Sequence, residues 1–248
     1  FKILNMFGSD KNKLFNERKD SERSLISETV SIDGTVNSSG AIDIAGLIKG
    51  PVYSKEVVIK ETGSIAGEVE ADRVEVHGHL NGKISAENVI IGSNCSIGSN
   101  TIIRNTIIED NVSILDGCII GKKGFGFLPN NKKNLRYPHI GIVIIGENSE
   151  IGCGSTIDRG SMSNTIIGKN TFLDNQVHVA HNNKIGDNCI IAGQVGMAGS
   201  SKLGNNVMIG GQVGISGHLK VGNNVQIGGG SGVIKDIPNN ARVMGYPS

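Results

Sequence analysis

From Ile167 to Val233 every sixth residue is aliphatic: Ile167, Leu173, Val179, Ile185, Ile191, Met197, Leu203, Ile209, Ile215, Val221, Ile227 and Val233. A helix repeats its apolar face at about 3.6 residues and a simple strand at about 2, so neither alone explains a strict period of six. A parallel β-helix does, with one short strand and one corner in each hexapeptide. Gly often follows the aliphatic residue, and the corners are rich in Asn and Gly, as in "IGDN", "LGNN" and "VGNN". Those residues enter left-handed backbone conformations at least cost. The fourth residue after each aliphatic one is mostly small or β-branched, as at Thr171, Val177, Cys189, Val195, Ser201, Val207 and Val213. Such side chains suit the inside of a narrow prism. Three hexads make a triangular coil of eighteen residues, so the stretch predicts four stacked coils.

Composition agrees with a core of aliphatic ladders. The 248 residues include 36 Gly and no Trp, and the Gly follow no every-third-residue rule, which excludes collagen. The net charge of +1 gives no sign of a nucleic-acid partner. Cys95, Cys118, Cys153 and Cys189 form no CxxC; three of them occupy the small-residue hexad position. They read as packing thiols in a reducing, cytoplasmic compartment. No apolar run is long enough for a transmembrane helix, and no signal-peptide pattern is present.

Residues 1–26 read as a flexible polar tail, with contact between "FKILNMF" and a membrane surface, at the inner membrane, as the alternative. Residues 27–91 carry another repeat. "GLIKGPVYSKEVVI" (46–59), "GSIAGEVEADRVEV" (63–76) and "GHLNGKISAENVII" (78–91) share one template, with starts 17 and 15 residues apart. This predicts a β-solenoid of a different type. Residues 92–248 form the hexad domain. The period slips by one residue after Ile103, and residues 121–143 break it. A break of that length predicts a large loop ejected from a coil, and such loops are usually functional. A smaller break, "DRGSMSN", precedes Ile167. The final coil is expected to be an open strand edge, covered by a partner or a further segment.

His181 and His218 are the candidate reactive groups. At eighteen-residue steps Gly199 lies above His181, and Gly217 above that, with His218 one position on. The two imidazoles are expected roughly 10 Å apart on one edge, with a notch at Gly199 and Ser200 between them. A neutral imidazole suits general-base work near neutral pH, and a Gly N–H suits an oxyanion. Two solvated histidines with no role is the alternative. His178 is expected to point to a different side, and no third metal ligand is evident, so no metal site is predicted.

Two resemblances follow. The template at 46–91, with the preceding "VSIDGTV", resembles the bactofilins, bacterial cytoskeletal proteins. That resemblance implies a right-handed β-helix that polymerises end to end, with a membrane-targeting tail to which "MFGSDKNK" from Met6 would correspond. "GFGF" (124–127), "IGENSEIGCGSTIDRGSMSNTIIG" (145–168), "DNQVHVAHNNKIGDN" (174–188), "MAGSSKLG" (197–204) and "ISGHLKVG" (215–222) closely resemble the UDP-3-O-acylglucosamine N-acyltransferases of lipid A biosynthesis, over about 97–247. This implies a left-handed prism and a homotrimer with sites between neighbouring prisms. It also implies transfer of a hydroxyacyl chain from acyl carrier protein to the 2-amino group of a UDP-sugar, with no further cofactor. Carried over, His181 is the general base, Gly199 the oxyanion donor and His218 an assisting group. Asn182 and Asp174 bind or orient substrate, and Phe125 and Phe127 wall the site. Gly230 and Gly232 stand where the family has a bulky residue closing the acyl channel, and imply room for a longer chain. The family's uridine-binding domain and C-terminal helices have no counterpart in these 248 residues, so the chain reads as a fusion. A structural scaffold or filament with an idle transferase half, and a sugar acetyltransferase using acetyl-coenzyme A, are the competing readings.

Overall fold

The computed structural model describes residues 23–248 except 77, 82, 83, 87, 88, 93, 99 and 132. The "FKILNMF" and "MFGSDKNK" stretches lie outside the described residues. Every described element is a strand, and the strands stack as a parallel β-solenoid. The tail expectation fails at its end, since Arg23–Ile26 is a strand, the first among the described residues. Ile26 is buried, and the Arg23 guanidinium reaches Asp43 and, at 3.0 Å, Glu56 on the next two coils. Those partners are distant in sequence, so the strand shows no local signal.

In the first half the chain visits three faces in turn, through strands such as Ala41–Ile44, Leu47–Lys49 and Val52–Tyr53. Arg23 pairs with Ala41, Ala41 with Glu56 and Glu56 with Arg73, so coil length varies. Then the winding reverses. Ile84–Ala86 pairs antiparallel with Val89–Ile91, and Arg73–Val76 pairs antiparallel with Thr101–Ile103. The order of faces reverses as well: the chain now goes from the third face to the first through a new sheet that starts at Ser96–Ile97. The stack still grows in the same direction, because both shared sheets continue without a break in order. A coil that turns the other way while climbing the same way has the opposite hand. Two solenoids of opposite hand are therefore joined through one reversed strand pair on each of two faces, with unbroken ladders of backbone hydrogen bonds.

The hexad half is regular. None of the twelve aliphatic positions from Ile167 to Val233 is more than 5% exposed. Each such burial contributes about 2 kcal/mol. Thr171, Val177, Cys189, Val195, Ser201, Val207 and Val213 are buried too, as their spacing predicts. Every sixth residue from Asn170 to Gly230 has a positive φ, between +51° and +67°. These are the corners, and Asn is the commonest residue there, at five of the eleven, because it tolerates that conformation. Asn side chains also bond one another along an edge, as from Asn206 to Asn224 at 3.0 Å. All four cysteines are free thiols; burial pushes Cys118 up to about 11.

The two breaks in the period form one structure. Residues between Lys122 and Val143 leave the coil and carry a small antiparallel pair, Phe127–Leu128 with Leu135–Arg136. The buried Arg159 of the smaller break donates from Nε to the Gly141 carbonyl at 2.7 Å, and Ile140 N–H donates to the Ser161 carbonyl at 2.9 Å. The Lys122 ammonium pairs with the fully buried Asp158 carboxylate at the loop's root. The loop is thereby held over the first face.

Candidate active site

On the first face, His178, Gly196, Gly214 and Gly232 stand in register in successive coils at an outward position. The missing side chains at Gly196 and Gly214 open a groove of about 760 Å³ that Gly232 also lines. Phe125 from the ejected loop walls it, His178 and His181 stand at one end, and Tyr246 lies at the other. His178 therefore lines the same groove as His181 and does not point to another side as the hexad phase suggested. It is held by Thr156, whose Oγ1 is 2.6 Å from its Nδ1.

His181 sits on the shelf that the sequence placed beneath Gly199. A Cβ added to Gly199 would stand 2.6 Å from Cε1, 2.7 Å from Nε2 and 3.1 Å from Nδ1 of His181. Together these distances put that point over the face of the ring near Cε1 and Nε2, so the imidazole lies flat against the shelf. The Gly199 N–H is available for a simple reason. Along a neighbouring edge the corner N–H groups are taken by side chains one coil on: Asp187 N–H by Asn205 Oδ1 at 2.9 Å, Asn205 N–H by Asn223 Oδ1 at 2.7 Å. One coil on from Gly199 is Gly217, which has no side chain to offer. Donor and imidazole thus border the same space.

Asn182 joins this group, with its Nδ2 3.1 Å from His181 Nδ1. Phe127 packs edge-on against Phe125 with centroids 4.8 Å apart, and the Arg136 guanidinium lies 4.5 Å from the Phe127 centroid. The structure does not bring His218 into the groove. It is an exposed corner residue with φ +64°, and it reaches Gly199 only through its backbone N–H, which donates to the Gly199 carbonyl at 3.0 Å. Asp174 lies on the other edge of the first face. There its carboxylate accepts from Asn175 N–H at 2.7 Å and Gly193 N–H at 3.0 Å. Gly230 is open as expected, with no atom within 4 Å of an added Cβ. Gly232 is not: a Cβ there would stand 1.8 Å from the Tyr246 ring, so Tyr246 fills the room that the glycines implied.

Sequence reasoning missed three members. His139, from the end of the ejected loop, is buried with its ring edge-on to His181, centroids 5.3 Å apart. Burial holds its pKa below the ordinary value, and the nearby His181 adds to this. Asp158 and Tyr246 are the others. The loop and tail residues lie outside the hexad count, so no period could place them; the glycine column at eighteen-residue steps could have been counted.

Comparisons with known proteins divide along the same line. Residues 24–118 match the bactofilin family model, described as polymer-forming cytoskeletal, and residues 164–199 match the bacterial transferase hexapeptide model. The UDP-3-O-acylglucosamine N-acyltransferase of Bradyrhizobium diazoefficiens is 44% identical over 89 residues, which is 36% of this chain and 25% of that protein. That of Rhodopseudomonas palustris strain HaA2 is 46% identical over 88 residues, 36% of this chain and 24% of that protein. The chain thus spans about a quarter of the length of the curated relatives it matches. Among solved structures, the UDP-N-acetylglucosamine acyltransferase of Francisella novicida has a TM-score of 0.59 at 23% identity, over 79% of this chain and 64% of that one. That of Campylobacter jejuni has a TM-score of 0.52 at 21% identity, over 87% of this chain and 66% of that one. At such identities the likeness is one of fold. The chain is therefore similar, in two successive stretches, to the bactofilins and to the UDP-3-O-acylglucosamine N-acyltransferases.

Proposed function

We propose that this protein is an N-acyltransferase. It moves a hydroxyacyl chain from acyl carrier protein to the 2-amino group of a sugar like UDP-3-O-acylglucosamine, on the cytoplasmic side of lipid A synthesis. The observation that carries this reading is the His181 ring lying against Gly199, beside an uncapped corner N–H and an open groove. The amine would lose its proton to His181 as it attacks the thioester carbonyl. The Gly199 N–H would meet the oxyanion, an electrostatic contribution that is usually large in acyl transfer. The acyl chain would lie along the glycine column beside Phe125. Asn182 orients His181; His218 and Asp174 have supporting roles on their edges, His218 through the Gly199 carbonyl and Asp174 through the corner it caps. No cofactor beyond the acyl thioester is required.

A homotrimer fits the third sheet of the hexad half. There Phe172, Ile190 and Met208 stand in register, each exposed, as one apolar stripe. The match of residues 24–118 to bactofilins favours a second reading, a polymer-forming scaffold, and the two are compatible in one chain. The test uses the full chain with UDP-3-O-acylglucosamine and either acyl carrier protein or coenzyme A as acyl donor, followed by mass spectrometry. An N-acylated sugar formed only from the carrier protein supports the proposal. Acetylation from coenzyme A alone, or no product while filaments form on the grid, overturns it.

A further inference from the structure

The loop ejected from the coil carries one sign of charge. Residues 121–143 hold Lys122, Lys123, Lys132, Lys133 and Arg136 and no Asp or Glu, which leaves the rest of the chain with 19 positive and 23 negative side chains. The loop is also two-faced. In its antiparallel pair Leu128 stands opposite Leu135, and residues directly opposite share a face. The Tyr137 N–H donates to the Gly126 carbonyl at 2.9 Å, so the pairing runs on and Tyr137, two residues from Leu135, joins that face. Leu128, Leu135 and Tyr137 are each about half exposed. The other face has partners. Phe127 stands opposite Arg136 with the guanidinium over its ring, and Phe125, edge-on to Phe127, walls the groove. Lys122 is taken by Asp158, while Lys123 and Lys133 are exposed and have no ion pair among the described residues. An exposed apolar face beside unpaired lysines marks an interaction surface.

We propose that this hairpin docks on an anionic lipid surface. Leu128, Leu135 and Tyr137 enter the boundary between headgroups and acyl chains, and Lys133 beside them, with Lys123 at the loop's root, meets lipid phosphates. The charge pattern selects this occupant. An anionic bilayer presents one sign over a continuous plane, which suits a loop with no carboxylate. A second copy would present both signs, with negative only slightly in excess. The apolar stripe suited to a second copy, Phe172, Ile190 and Met208, lies on the third sheet, whereas the loop is held over the first face by Arg159 and Lys122. Interfacial elements sink only about 5–10 Å, and a two-residue strand pair with its turn is long enough for that. The inference does not need the acyl-transfer reading, though one consequence does. Phe125 belongs to the same loop, so docking brings the groove close to the bilayer. An acylated sugar would then leave for the lipid phase with little passage through water.

The chain has no Trp, so Tyr137→Trp gives a single fluorescent reporter on this face. The full chain carrying it is mixed with vesicles of phosphatidylcholine, alone or with phosphatidylglycerol added. Expected is a blue shift of the emission, and quenching by brominated acyl chains, with the phosphatidylglycerol vesicles only, and loss of both in high salt. Flotation then compares variants. Lys123→Gln with Lys133→Gln should weaken binding about twenty-fivefold, at about fivefold for each lysine near the surface. Leu128→Thr with Leu135→Thr should weaken it about tenfold, and threonine suits the strand pair. The lysine variant leaves the leucine pair untouched, so a misfolded hairpin cannot account for both losses. A reporter that stays in water while the protein floats would place the membrane contact elsewhere, such as at "FKILNMF", and overturn the proposal. So would a blue shift that follows protein concentration without vesicles, which would put a second copy on this face, or flotation unmoved by both pairs of changes. If the hairpin docks and no sugar is acylated, the proposed function fails and the lipid contact stands.

Discussion

Gly199→Ala isolates the placement of His181. The backbone accepts alanine, since Gly199 is not among the positive-φ residues, and the N–H proposed for the oxyanion is kept. The new methyl, however, would stand 2.6 Å from His181 Cε1 and 2.7 Å from Nε2. Carbon atoms rest at about 3.5 Å or more, so the ring must retreat by about 1 Å. A displacement of that size costs about a hundredfold in rate, or about 2.7 kcal/mol of transition-state stabilisation. The corner is half-buried and nothing in the core moves, so the melting temperature should change little. Gly217→Ala is the comparison one coil on: its Cβ would stand 3.1 Å from the Gly199 carbonyl oxygen, 3.8 Å from Ala198 Cβ and 3.9 Å from the Gly199 nitrogen, much looser contacts, and should cost far less. The assay is kcat on UDP-3-O-acylglucosamine with acylated carrier protein, beside thermal unfolding of each variant. Turnover of Gly199→Ala within twofold of the parent would refute the claim that ring and shelf work together.

Three further outcomes follow from the surrounding structure. Lys122→Met leaves the fully buried Asp158 carboxylate without its cation and should destabilise the protein by about 3 kcal/mol, read from the urea midpoint. Tyr246→Ala should extend the groove past Gly232 and move donor preference toward longer chains; Tyr246 is 82% exposed, so stability should hardly change. Acidification provides the third. Burial lowers the His139 pKa in the folded state, so below its ordinary value of 6.5 the unfolded chain binds more protons and stability falls as pH falls. His139→Phe should flatten that acid-side slope in denaturant titrations below about pH 6.5.

Much of the hexad half was legible because its period is strict. Counting by six found every inward residue from Ile167 to Val233, and counting by eighteen put Gly199 over His181. The same count erred where a side chain's direction depends on its place within the corner. His218 follows its aliphatic residue by one position more than His181 does, which makes it the left-handed corner residue and turns it out of the groove. His139 and Tyr246 were invisible because both come from segments outside the coil, and only tertiary packing brings them to His181 and Gly232. The join between the solenoids was equally hidden. Its signature is an antiparallel pairing of Ile84 with Ile91 and of Glu75 with Ile102, and no local residue pattern encodes strand direction.

The most direct measurement is the rate of amide formation on UDP-3-O-acylglucosamine by the parent protein and by His181→Ala, each with acylated carrier protein. The side chain is half-buried at a corner, outside the aliphatic ladders, so the variant should melt as the parent does. Loss of at least about a thousandfold in kcat, with the solenoid intact, is the predicted result. Equal rates from the two proteins would contradict the account.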